Sequence, residues 1–202
     1  MKRTKISFVG EKPIFTVSPQ IVPGGFNLDR EKQRFSVGDI IPAGTLAIFD
    51  EVTRKVQIVK TAKVKAIGTK DKKVITLYSN GYCSPCFSVG DKLLQAKSVS
   101  GTFEDAPPYV IILSAEISGL AVDDVLVEVV ESSTNAAVIG EPNSLTIEEV
   151  TVKEFETAID VTEDTMQYAV MERRVLPIPD SMKDSTKRYL KANSHIRLSQ
   201  TY

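Results

Sequence analysis

Apolar and polar positions alternate with a period of two along much of the chain, the spacing of half-buried strands whose successive side chains point to opposite faces. In KVQIVK (55–60) Val56 and Ile58 fall on one side, Gln57 and Val59 on the other; in AKVKAI (62–67) Lys63 and Lys65 alternate with Val64 and Ala66. Between AKVKAI and VITLYS (74–79), the segment GTKDKK (68–73) supplies Gly and Asp and predicts a hairpin connection. Further strands are predicted at TLAIF (45–49), YVIILS (109–114), VLVEVVE (125–131) and YAVMERRV (168–175). Turn clusters at PQIVPGG (19–25), SNG (79–81), DAPP (105–108) and EPNS (141–144) punctuate them.

One five-residue piece occurs twice: FSVGD at 35–39 and again at 87–91. In each copy the Gly can take a positive φ and the Asp side chain can bond backbone N–H groups of the same turn. Apolar residues follow, Ile40-Ile41 and Leu93-Leu94, and a weaker third copy is Ala121-Val122-Asp123-Asp124 before Val125-Leu126. The unit reads as a turn that delivers the chain into a strand. Pro42, which lacks a donor, suits an edge or strand start, and Gly44 permits a tight bend before Leu46. Asp50 to Lys55 reads as a polar hairpin connection.

The last third changes character. TIEEVTV (146–152) reads as an acidic strand, whereas SMKDSTKRYLKAN (181–193), with Ser181 as N-cap and basic residues towards its end, predicts a helix. The closing HIRLSQTY (195–202) predicts a strand added to a neighbouring subunit or to the chain's own sheet. The expected fold is mainly β: a small antiparallel β-barrel or sandwich-like domain over 31–145 carrying the repeated turns. An extended N-terminal arm over 1–30 precedes it, and a C-terminal β segment plus one short helix over 146–202 follows.

Composition changes this picture little. With 202 residues, 42% hydrophobic and 25% charged, the chain suits one large domain or a medium domain with an appendage rather than wholesale disorder. The opening MKRTKISFVGEKPIF has only ISFV as an apolar patch and reads as neither membrane span nor signal peptide. Two cysteines are too few for a disulfide-built scaffold and fit a reducing cytoplasm. The net charge of −1 conceals segregation: Arg54 to Lys73 holds eight Lys/Arg against Asp71, and Ala115 to Asp164 holds thirteen Asp/Glu against Lys153. Such blocks suit either complementary surfaces in an assembly or oppositely charged solvated faces of one fold.

Residues capable of chemistry are few. Cys83-Ser84-Pro85-Cys86 has the spacing of a dithiol or half a zinc site, but no helix-forming run follows it, and the remaining soft ligand is His195. The pair reads as partly buried thiols on a β loop or as a loop disulfide. His195 reads as a polar residue at a strand start, since no G-x-S-x-G accompanies it. The acid pairs Asp123-Asp124, Glu148-Glu149 and Glu163-Asp164 lack the loop spacing of a calcium motif and read as solvated edges. The lysine-rich hairpin could meet phosphates, yet aromatic residues for base stacking lie outside it. No residue is assigned to catalysis, to a cofactor or to a metal, and neither nucleic acid nor membrane is an expected partner.

The order of three segments carries a resemblance: VGDxIPAGTxAxFDExTxKVxxVK in 37–60, FSVGDKL in 87–93 and MERRVLPIPDSMK in 171–183. Together they resemble the head fibre and capsid decoration proteins of tailed bacteriophages, of the type found in phages and prophages of Bacteroides-type bacteria. The resemblance covers roughly 33–183; the first thirty residues and the Cys83 to Cys86 insertion stand outside it. It implies a non-enzymatic virion protein on the outer capsid surface, an oligomer expected as a trimer, with the major capsid protein as partner and an outward face open to host-surface or mucus glycans. The N-terminal arm or Arg173-Arg174 would dock on the capsid, and the basic hairpin would meet the acidic block between subunits. The rival expectation is a glycan- or small-ligand-binding β domain outside any virion.

Overall fold

Frequent turn residues break the apolar runs into strands of two to seven residues, so burial is reached by pairing many short strands rather than a few long ones. The computed structural model describes residues 13–22, 25–100, 109–130, 137–163, 165 and 167–200. The turn expected at DAPP, the arm up to residue 12, Pro23-Gly24 and Asp164 lie outside the described residues. In chain order the strands are β1 Phe26–Leu28, β2 Ile40–Ile41, β3 Leu46–Asp50, β4 Lys55–Ile58, β5 Thr61–Ile67, β6 Val74–Leu77, β7 Lys92–Leu93 and β8 Lys97–Ser98. There follow β9 Tyr109–Ile112, β10 Val125–Val127, β11 Val129–Val130, β12 Ala137–Val138, β13 Ser144–Leu145, β14 Val150–Thr151, β15 Ala158–Ile159, β16 Tyr168–Met171 and β17 Ile196–Ser199.

The fold is mainly β, as expected, with one sheet curled as a half-barrel. A five-stranded sheet has the order β13-β3-β4-β1-β15 and a four-stranded sheet β10-β5-β6-β9, flanked by two-stranded ladders. Most pairs are antiparallel; β1 with β4 and β16 with β17 are parallel. The hairpins expected at 50–55 and 68–73 are present, joining β3 to β4 and β5 to β6. In the first, the Asp50 carboxylate accepts from the Val52 N–H at 2.8 Å and the Thr53 hydroxyl at 2.9 Å. The expected alternation in KVQIVK places Val56 and Ile58 in one buried cluster and Val59 in another.

The repeated turn is the recurrent joint of this fold. Gly38 and Gly90 both have φ +93°, and Asp123 takes the same place in the third copy at φ +74°. The fourth residue's carboxylate caps the first residue's N–H each time: Asp39 on Ser36 at 2.7 Å, Asp91 on Ser88 at 2.6 Å, Asp124 on Ala121 at 2.8 Å. Each turn then grips one residue of a neighbouring segment twice. Gly38 N–H donates to the Val152 carbonyl and Val152 N–H to the Asp39 carbonyl; Gly90, Val99 and Asp91 repeat this, as do Asp123, Val64 and Asp124. The gripped valines are fully buried.

A fourth copy carries no Asp. Gly44 N–H donates to the Thr146 carbonyl and Thr146 N–H to the Thr45 carbonyl, while the Thr45 and Thr146 hydroxyls both donate to the Pro42 carbonyl. Gly44 has φ +76°, and a Cβ there would stand 2.3 Å from Val175 Cγ1, so glycine is required twice over.

The C-terminal region departs from its expected helix. A single 3-10 turn at Asp180–Met182 is all that forms within 181–193; the chain then doubles back, with Lys183 opposite Leu190. Asp184 is the reason: its carboxylate accepts from the Thr186 hydroxyl at 2.6 Å and from the N–H groups of Arg188 and Tyr189 at 2.8 and 3.0 Å. These bonds offer the backbone an alternative to the helical ladder, and Lys187 takes φ +56°. The expected acidic strand TIEEVTV is likewise broken, with exposed Glu148-Glu149 between a bridge at Thr146 and β14. The closing strand β17 joins the chain's own β16. Residues 13–22 run along the body, with Phe15 bridged to Val170 and Ile21 to Thr162.

Candidate functional site

Chemistry concentrates inside the molecule, where β4 passes into β5. Lys60 sits in that passage with none of its side-chain surface in water. Its Nζ donates to Asp91 Oδ2 at 2.7 Å and Ser88 Oγ at 3.3 Å, bonds the Arg34 carbonyl, and lies 3.9 Å from the centre of the Phe35 ring. Glu128, on the link between β10 and β11, donates its backbone N–H to the Lys60 carbonyl at 2.9 Å, so the two residues face each other across the ladder. Its carboxylate accepts from Gln33 Nε2 at 3.0 Å, while Gln33 Oε1 takes the Ile58 N–H at 2.6 Å.

Both FSVGD copies meet here. The Ser88 hydroxyl of the second donates to Asp39 Oδ2 of the first at 3.0 Å. Residues far apart in the chain thus converge because two identical turns pack against each other around one ammonium. Lys60, one of the eight basic residues between Arg54 and Lys73, is therefore buried rather than part of a hairpin face able to meet phosphates or another subunit. The alternation around it does not mark it, because what permits burial is Asp91, 31 positions away.

Burial sets the electrostatics. Removal from water raises the Asp91 carboxyl above its ordinary range, with Lys60 opposing the shift. Glu128 is pushed up to about 7, first by burial and then by the nearby Asp91 charge, against the pull of Lys60. Cys86 lies within electrostatic reach of Lys60, Glu128 and Asp91, and burial pushes its thiol up to about 12. Cys83 is likewise raised to about 12 by burial, opposed by a bond to Asn80. Both are free, buried thiols packed with Leu176, in the protonated form that is a poor nucleophile and a poor metal ligand.

Other candidates are dispersed. His195 precedes β17, its N–H donating to Asn193 Oδ1 and its carbonyl accepting from Tyr168. Arg174, considered for docking, is tied within the chain: Nη1 donates to the Pro13 carbonyl at 2.8 Å and the guanidinium lies over Tyr82. The basic hairpin and acidic block meet within one chain, through Lys63 with Asp123 at 2.8 Å and Lys72 with Glu116 at 3.2 Å. Among the described residues no group of three or more His, Cys, Asp or Glu is placed to hold a metal ion. Comparison with protein-family models, with curated proteins and with solved structures returns no match.

Proposed function

We propose that this chain is a structural protein of a tailed-phage virion, a head fibre or capsid decoration subunit. It binds the outer capsid surface as an oligomer and acts through shape and contact area. One observation supports the reading above others: the first of the three segments that carry the resemblance packs against both of the others. Lys60, closing the first, pairs with Asp91 of the second. Gly44 of the first lies against Val175 of the third, and Leu46 and Val59 share a core with Val175, Ile178 and Met182. The resemblance therefore falls on residues that specify one body rather than on scattered surface positions, as expected of a likeness in fold and role.

Adhesion also has material to work with. Val37, Val89 and Val122, the second residues of three repeated turns, are each at least half exposed, so the turns present apolar tips to a partner surface. Add-back tests the reading: purified protein is mixed with heads that lack it, and occupancy and resistance to heat are followed. Saturable rebinding with a raised temperature of head disruption is expected; heads that neither take up the protein nor gain resistance would count against it.

A further inference from the structure

The Lys60 cluster holds the parts of a condensation site. An amine and a carboxyl are in contact and closed to water. We propose that Lys60 and Asp91 become joined by an intramolecular isopeptide bond. The 2.7 Å contact between Nζ and Oδ2 is the arrangement from which that bond forms.

The steps balance without any co-reactant. In a site closed to water, transfer of one proton from the ammonium to the carboxylate exchanges two buried charges for a neutral amine and a carboxylic acid. Oδ2, 2.7 Å from Nζ, takes that proton. The amine lone pair attacks the Asp91 carboxyl carbon, and Oδ2 accepts a second proton from the attacking nitrogen and leaves as water. The Ser88 N–H, 2.6 Å from Oδ2, holds the carboxyl in place for the attack. Oδ1, buried without a hydrogen-bond partner, remains as the amide oxygen. The C–O bond breaks, the C–N bond forms, and one amide replaces one ammonium and one carboxylate.

Two features favour this over a resting ion pair. Contact between fixed groups removes the entropic barrier to a bimolecular reaction. Exclusion of water favours the amide over its hydrolysis. The bond would rivet the second FSVGD turn to the start of β5. It goes beyond the virion reading and stands or falls without it.

Intact-mass spectrometry of the purified full chain, held folded at neutral pH, tests the inference. The wild type is expected one water lighter than its sequence mass, while D91A and K60M keep theirs. Trypsin should leave Lys60 uncut and release peptide 56–63 joined to peptide 74–92. A full sequence mass with cleavage after Lys60 overturns the proposal, and this wild-type reading holds whether or not the variants fold.

Discussion

An ammonium group without water around it depends wholly on its partners, and the two FSVGD aspartates differ in this respect. Asp91 faces Lys60 in the interior, whereas Asp39 is partly exposed and serves the Ser36 N–H and the Ser88 hydroxyl. D91A strands a buried charge and is expected to cost about 3–5 kcal/mol or more; D39A removes hydrogen bonds and should cost about 1–2 kcal/mol. Urea unfolding of the two variants checks the asymmetry, and equal costs would contradict it. Glu128 gives a pH signature. Its folded-state value of about 7 lies above its ordinary 4.5, so its contribution is fully present below 4.5 and is lost as pH rises through 7. Thermal stability should therefore fall between pH 5 and pH 8 by an amount on the order of 1–3 kcal/mol, with a shallower slope in E128Q. A flat wild-type profile over that range would exclude a raised Glu128.

At the scale of elements, the grip of each turn on a buried neighbour predicts unequal costs for its glycines. A Cβ at Gly38 meets nothing within 4 Å, so G38A should cost only the strain of positive φ, about 1 kcal/mol. G44A adds a collision with Val175 and should exceed it by about 1–3 kcal/mol in the same measurement; parity would mean that the Gly44 turn is not held against that core. The turns also show how far local reading reaches. FSVGD and its third copy were legible because Gly, Asp and the following apolar pair carry the geometry in adjacent residues. The fourth turn was legible only as a bend, since Thr45 and Thr146, 101 positions apart, replace the aspartate. The missing helix at 181–193 has a local cause that periodicity overlooks: one Asp side chain, held near pKa 2 first by the Thr186 hydroxyl, collects the N–H groups a helix would need.

For the whole molecule, charge counting located two opposed blocks but not their relation. The β5 to β10 ladder sets Lys63 beside Asp123 and Lys60 opposite Glu128, so part of the segregation is resolved inside one chain. The buried ion pair was illegible for the same reason as the fourth turn, because it depends on topology that brings 60, 91 and 128 together. What local reading did supply was a β body with repeated turns, and the motif order on which the proposed function rests. The most direct test of the proposed virion role is to count this polypeptide against the major capsid protein in purified phage particles produced by cells that carry its gene. A fixed ratio set by capsid symmetry is predicted; particles that are complete and infectious without the polypeptide would contradict the account.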